Sequence, residues 1–391
     1  MKKKIVWITV VGVVCALAVY LSIPRNHFIT KALRYQSAGI DDYKLFENRV
    51  VEAGTGLPWD QHPEYNSYTL TPEQVATQEG LQTVAFLVAR DSQLLYEAYW
   101  DGYGPESHSN SFSMAKSIIS LLIGCAVEDG YIASLDQPVG DFIPEFNQGQ
   151  KANITIRHLL NMSSGLSWDE AYSSLFSVTT QAYYGKFLRE LTLSQDVIAE
   201  PGVAFSYLSG DTQLLSFVLS AATGKTVSEY ASERIWKPIG AESNALWSLD
   251  REGGVEKAYC CFNSNARDFA RIGRLVLNSG EWNGLQVVPE WFIRESMAPA
   301  THLTDTDLGG KPNTRYAFQW WFVQHRGYQV KYARGILGQY IFIIPDLNLV
   351  AVRLGHLRSN ERIEGHPIDV FQHIDLAISI SEAVGEGTAS N

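Results

Sequence analysis

A mixed α/β (α+β) fold is the class this sequence predicts: an antiparallel sheet built from both chain ends, flanked by helices, with an all-helical subdomain inserted between the two halves. Three observations point there. Strand-like runs occur early, at 83–100, and again late, at 317–354. Between them, from about 130 to 245, apolar residues recur at helical spacing, broken by turns at Ser164-Gly165, Pro201-Gly202 and Pro238-Ile-Gly240. A helical pattern returns at 367–383. Strands at opposite ends of one chain must then meet to share a core.

The elements follow in order. Residues 1–24 form a separate unit, in which lysines at 2–4 precede an uncharged apolar run over 5–23. As a helix this run is about 28 Å long, near the thickness of a hydrocarbon core. The lysines place their end in the cytoplasm. The segment is therefore expected to anchor the chain in a bacterial inner membrane, with the remainder on the periplasmic side. A cleaved signal peptide, with Ala16-Leu17-Ala18 as its small-x-small site, is the competing reading and makes the protein periplasmic or secreted. Residues 25–80 read as a polar lead-in packing over a domain edge, and 81–385 as the main domain. Its helical subdomain is placed at about 112–245, and 386–391 as a disordered tail. Residues 84–89 and 94–100 flank the turn 90–93 as a hairpin. The run 113–128 is apolar nearly all round, as in a helix at the middle of a domain. Helices are expected at 156–160, 213–222, 227–236 and 266–277, and late strands at 317–323, 329–332, 339–344 and 349–354.

The chain has 391 residues, 46% hydrophobic and 19% charged, which predicts a large packed core. With 42 acidic against 31 basic residues and no basic stripe interleaved with aromatics, nucleic acid is not an expected partner. The four cysteines are Cys15, Cys125, Cys260 and Cys261. There is no Cys-x-x-Cys or His-Glu-x-x-His, and the adjacent pair has no ligand spacing. Neither a metal site, a cofactor nor a disulfide framework is expected.

The chemistry concentrates at Ser113-Met-Ala-Lys116, the single Ser-x-x-Lys of the chain, at the head of the apolar run. A serine hydroxyl is a poor nucleophile until a neighbour takes its proton. On a helix, positions i and i+3 share a face, so Lys116 reaches Ser113. At a helix start, unpaired N–H groups and the positive dipole end favour an oxyanion. The bland reading is a buried helix with Ser113 as its N-cap and Lys116 solvated.

Two further segments lie downstream: Pro201-Gly-Val-Ala-Phe-Ser-Tyr207-Leu-Ser209, and Ala333-Arg334-Gly335-Ile336-Leu-Gly338-Gln339 on a late strand. With Ser113-x-x-Lys116 ahead of them, the chain resembles the penicillin-recognising serine hydrolases, in the class C β-lactamase-like branch. The resemblance spans roughly 80–385. It includes Ile154-Thr-Ile-Arg-His-Leu-Leu160, Ser163-Ser-Gly-Leu166, Asp268-Phe-Ala-Arg271 and Gly280-Glu-Trp282. Within that superfamily the chain looks most like the 6-aminohexanoate-dimer hydrolases and related esterases, through Asp169-Glu-Ala-Tyr172, Gln319-Trp-Trp321 and Gly335-Ile-Leu-Gly-Gln339.

The resemblance implies a β-lactamase/transpeptidase-like fold and an amidase or esterase working through an acyl-enzyme on Ser113. Lys116 and Tyr207 would share the proton transfers, with either as the base, and the pair would titrate as one unit. The backbone N–H groups of Ser113 and Ile336 would form the oxyanion hole. Tyr172, Ser209, Arg334 and Gly335 would contact a small-molecule amide or ester. Arg334 stands where the superfamily carries Lys-Thr-Gly or His-x-Gly, which weakens the reading as a β-lactamase or D-Ala carboxypeptidase; Lys225-Thr226 lies between helices and is a decoy. A non-catalytic peptide-binding protein on the same scaffold is the remaining alternative. His108, His158, His366 and His373 are read as structural or surface residues, and no Gly-x-Ser-x-Gly elbow occurs. Asp268 and Arg271 are read as a structural pair. Alternation along a strand sends one ring of Trp320-Trp321 to the core and offers the other to a cleft.

Overall fold

The early and late strands join in one antiparallel sheet. The computed structural model describes residues 2–172 and 174–386, so nearly all of the expected tail lies outside the described residues. The hairpin of β1 (Thr83–Arg90) and β2 (Gln93–Tyr99) turns through Asp91 and Ser92, both at positive φ, as a two-residue hairpin loop requires. Late in the chain come β3 (Tyr316–Ala317), β4 (Trp320–His325), β5 (Tyr328–Gly335), β6 (Gln339–Ile344) and β7 (Leu349–Gly355). The order across the sheet is β3-β4-β5-β6-β7-β1-β2, every pair antiparallel. The last strand in sequence thus pairs with the first (Val352 opposite Leu87), closing the sheet from both ends of the domain.

Both faces are covered, so the central strands are buried throughout. Besides α1 (Lys2–Ser22) and α2 (His27–Tyr35) at the N-terminus, the longer helices are α3 (Met114–Glu128), α4 (Ser209–Thr223), α5 (Ala266–Leu277) and α6 (Ile368–Glu386). Helix α5 packs on the face carrying Ile341 and Val350. Helix α6 lies on the opposite face, where the Tyr340 hydroxyl donates to Asp369 at 2.8 Å and Phe86 meets His373. Gly273 allows α5 its close approach: a Cβ there would stand 2.5 Å from Val350 Cγ1 and 2.9 Å from Ile341 Cγ2. Helix α3 is buried from Met114 to Ala126, as its unbroken apolar run demands, and packs against α4 of the helical subdomain.

Several expectations need correction. The strand placed at 317–323 is broken, because Phe318 and Gln319 have φ of 50° and 67° and turn the chain between β3 and β4. The Gln319 side chain donates to the Leu159 carbonyl at 2.8 Å and accepts from Thr212 at 2.7 Å, tying the sheet to the helical subdomain. Alternation along β4 does hold for the tryptophans: Trp320 is buried in the core, while Trp321 walls a cleft on the other face beside Tyr207. The strand placed at 329–332 runs on to Gly335. Cys260 and Cys261 are bonded to each other, against the expectation of no disulfide. Sequence reasoning looks for cysteines that close a loop, and a bond between neighbours closes none.

The lead-in does more than cover an edge. Helix α1 (Lys2–Ser22) is apolar and exposed along its length, and long enough to cross a bilayer. Helix α2 (His27–Tyr35) buries Phe28, Ile29 and Ala32 against the domain. Asn48–Val51 pairs with Ala245–Ser248 in a second, four-stranded sheet that also contains Phe262–Ser264 and Ser109–Asn110. Gly273→Val would drive a branched side chain into β6 and β7. We expect a loss of about 1–3 kcal/mol, read as a lowered midpoint in urea with unchanged slope.

Candidate active site

The small sheet sets the position of the candidate nucleophile. Ser109 and Asn110 pair with Ser264 and Asn263, and the Ser111 amide donates to the Phe262 carbonyl at 2.9 Å. This brings residues 111–113 beside 259–261. Phe112 has φ of 43°, and the chain turns there to present Ser113 as the N-cap of α3. The Ser113 side chain makes no capping bond, and Lys116 Nζ lies 2.9 Å from its Oγ. Lys116 is buried rather than solvated, and its Nζ donates to the Tyr259 carbonyl at 2.7 Å. Burial brings its pKa down to about 7, with the charge of Glu170 pulling the other way.

Tyr207 comes from the segment leading into α4. Its ring packs against Trp321 at 5.4 Å and edge-on to Tyr316 at 5.8 Å, and Lys116 Nζ stands 5.1 Å from its centre. Burial and then Glu170 hold the phenol above its ordinary pKa, while the Ser113 hydroxyl, Arg334 and Arg358 draw it down. Ser113, Lys116 and Tyr207, separated by more than ninety residues in sequence, therefore meet in one cluster.

Gly335 closes β5 against this cluster. A Cβ there would lie 2.3 Å from the Ser111 carbonyl oxygen, so only glycine allows the strand end to approach the residues ahead of Ser113. Ile336 follows it at the cleft. Arg334 lies flat on Trp321, with Cζ 3.3 Å from the ring centre, and donates to the Gly365 carbonyl at 3.2 Å.

Glu170 was not singled out from sequence. It accepts from the Ser209 amide and the Tyr172 hydroxyl, and from Ser209 Oγ at 3.1 Å. Burial raises its pKa; Lys116, then Tyr172 and Ser209, oppose that rise. Ser209 is thus bound to Glu170, not to Ser113. Tyr172 keeps 48% of its surface open, yet its hydroxyl end is sunk onto the Glu170 carboxylate. The only signal for Glu170 was its place inside Asp169-Glu-Ala-Tyr172.

Two arms of a cleft meet at Ser113, Tyr172 and Ile336. One, of about 400 Å³, is mainly apolar, walled by Phe112, Leu175, Tyr183, Cys260 and Leu337, with Ala32 and Ala38 from the lead-in. The other, of about 370 Å³, is lined by Tyr207 and by Arg334, Arg358 and Arg362. Among the described residues these three arginines form no ion pair, unlike Arg315, which is held by Asp305 and Asp307. Burial, then Arg334 and Arg358, lower the pKa of Arg362, a sign that the charges crowd one another. Arg358 and Arg362 were not anticipated: Arg358 stands in the irregular loop after β7, and Arg362 opens a two-residue strand, Arg362–Ile363, paired with His366–Pro367 and too short to show a pattern.

The histidines lie elsewhere. His108 contacts the Asn244 carbonyl at 3.0 Å, His158 caps its own short helix with Thr155, and His366 meets the Tyr332 hydroxyl at 2.5 Å. His373 is buried under the sheet. Asp268 and Arg271 form a buried pair at 3.3 Å. Among the described residues, no group of three His, Cys, Asp or Glu side chains is placed to hold a metal ion.

Known proteins share this sequence pattern and this fold. The chain is 27% identical over 305 residues to the 6-aminohexanoate-dimer hydrolase of Paenarthrobacter ureafaciens, covering 73% of this chain and 76% of that one. A Bacillus anthracis structure provisionally named as a 6-aminohexanoate-dimer hydrolase superposes with a TM-score of 0.71 at 22% identity, over 90% of this chain and 95% of its own. A family VIII carboxylesterase superposes with a TM-score of 0.61 at 17% identity, over 83% and 99% of the two chains. These structural likenesses speak for the fold. The family model described as Beta-lactamase matches residues 70–367, the span that contains Ser113, Lys116, Tyr207 and the arginine-bearing arm, and by that match the chain belongs to the β-lactamase family, a hydrolase of its serine-dependent superfamily.

Proposed function

We propose that the protein is a membrane-anchored serine amidase or esterase that acts outside the cytoplasm, through an acyl-enzyme on Ser113, on small substrates bearing an anionic group. The observation that carries this reading is the buried Lys116 amine, 2.9 Å from the Ser113 hydroxyl and with a pKa near 7. An amine half-neutral at neutral pH has a lone pair to accept a proton. The Tyr259 carbonyl takes one of its N–H groups and leaves that lone pair free to face Ser113. Neutral Lys116 removes the Ser113 proton as the oxygen attacks the substrate carbonyl. The Ser113 and Ile336 amides receive the oxyanion; removing one donor of this kind costs about 3–4 kcal/mol. Tyr207, held protonated by its surroundings, donates to the leaving atom and is reprotonated from Lys116. Water then attacks the ester along the reverse path.

Tyr207 lines the arginine-bearing arm, so the leaving group occupies that arm and the acyl part the apolar one. Guanidinium groups without carboxylate partners favour an anion on the leaving side. Helix α1 supports the anchor, and the lysines at its start support the orientation.

Three outcomes test this. Ser113→Ala should reduce turnover of p-nitrophenyl esters to less than about a thousandth with unchanged circular dichroism, and a fluorophosphonate should label Ser113 in the parent alone. Label on another serine would exclude the reading. Protonation of Lys116 removes the base as pH falls. kcat/KM should therefore decline about tenfold per unit below a limb near 7 and level off above it, while Lys116→Arg, always charged, should be inactive at every pH. Arg358→Ala with Arg362→Ala should raise the ratio of KM for a carboxylated over a neutral ester about tenfold, as loss of a charge-assisted bond implies.

A further inference from the structure

The bonded pair Cys260–Cys261 stands next to the residue that holds the proposed base. Tyr259, whose carbonyl takes the Lys116 ammonium at 2.7 Å, directly precedes it in the chain. Cys260 lines the apolar arm, as Ser113 does. Cys261 has φ of 67°, a conformation side-chain-bearing residues seldom adopt. The backbone on either side is tied down: the Cys260 amide donates to the Lys257 carbonyl at 3.1 Å, Trp247 Nε1 donates to the Cys260 carbonyl at 3.1 Å, and the Ser248 amide donates to the Cys261 carbonyl at 2.9 Å. Of the two remaining cysteines, Cys125 is buried within α3 and Cys15 lies in α1, so neither competes for this pair.

We infer that the Cys260–Cys261 disulfide is a positioning element for Lys116, fixing the 259–261 backbone so that the Tyr259 carbonyl keeps the amine aimed at Ser113. Two adjacent residues joined through their side chains form one small ring, which removes most of the backbone freedom between them. Without the bond, Cys260 at the apolar arm and the buried Cys261 are separate thiols, Cys261 can relax from its left-handed conformation, and the Tyr259 carbonyl turns with the peptide that follows it. Lys116 then loses its fixed acceptor and gains access to water, which favours its charged form. The groups facing the amine are Ser113, Glu170 and the rings of Tyr207 and Tyr259. Loosening the amine leaves the Glu170 charge to act on it with less opposition from burial. Cleavage is balanced: a dithiol reductant supplies two electrons and two protons to the two sulfurs and leaves as its own cyclic disulfide.

This inference rests on the Ser113–Lys116 reading, and the experiment separates the two. The full-length protein in detergent is assayed with a neutral p-nitrophenyl ester before and after dithiothreitol, with alkylation and peptide mass reporting the state of Cys260 and Cys261. We expect reduction to lower kcat/KM about fivefold at pH 7 and to move its acid limb upward by about one unit, reversibly on reoxidation. Cys260→Ala with Cys261→Gly keeps the left-handed backbone accessible and should match the reduced enzyme while no longer responding to dithiothreitol; Cys125→Ser should respond like the parent. Free thiols at 260 and 261 in the untreated protein, or an unmoved limb on reduction, would overturn the inference, including a loss equal at all pH values with circular dichroism intact. Failure of the fluorophosphonate to label Ser113 in either redox state would instead strike the underlying reading.

Discussion

An amine taken out of water beside a hydroxyl is the constraint around which the rest of this molecule is arranged. Removing an isolated ammonium from water is so unfavourable that the group sheds its proton or finds partners. Lys116 has a carbonyl and a hydroxyl in contact and a carboxylate, Glu170, at longer reach. Full ion pairing would lock the amine in its charged form, and full exposure would return its pKa to the ordinary lysine range. The intermediate arrangement needs a helix buried on all sides, a loop carbonyl delivered from residue 259 and a carboxylate kept one layer away by Ser209 and Tyr172. The sheet closed from both chain ends supplies the rigid floor for these parts.

The parts of the site that could be read in advance are those fixed by short-range geometry. Ser113 and Lys116 lie three apart on one helix, so their meeting follows from helical pitch alone. Tyr207, Gly335 and Ile336 were found through their motif context and their order along the chain. The elements with strong periodicity were also legible: the helix at 266–277 and the strands at 339–344 and 349–354 lie where their patterns put them. What escaped depends on loops returning over long distances. Glu170 reaches the cluster because the segment before 178 folds back onto the start of α4, and nothing in its local sequence marks a buried acid. Arg358 sits in a loop and Arg362 in a two-residue strand, neither long enough to carry a periodicity, so their shared direction emerges only in three dimensions. Trp320 and Trp321, by contrast, divide as alternation along a strand expects, one ring in the core and the other walling the cleft under Arg334.

The two arms give the cleft a polarity. One wall is aromatic and aliphatic; the other carries guanidinium groups, one of them stacked on Trp321 and so fixed in direction. A strand ending in Ala-Arg-Gly in place of a lysine motif exchanges a point charge for a planar fork. On the proposed reading the Ser113–Lys116 pair is separable from the groups that choose what enters, and variation in the segment after β7 would alter selection without touching either residue.

Helix α2 ties the chain's first segment to this chemistry. Ala32 and Ala38 form part of the apolar wall, while α1, only a few residues upstream, offers a bare greasy surface to its surroundings. Any soluble form made by cutting the chain should therefore begin ahead of His27. A cut placed further in, however convenient for handling the protein, would unroof the chamber next to Ser113 and record the kinetics of a breached vessel.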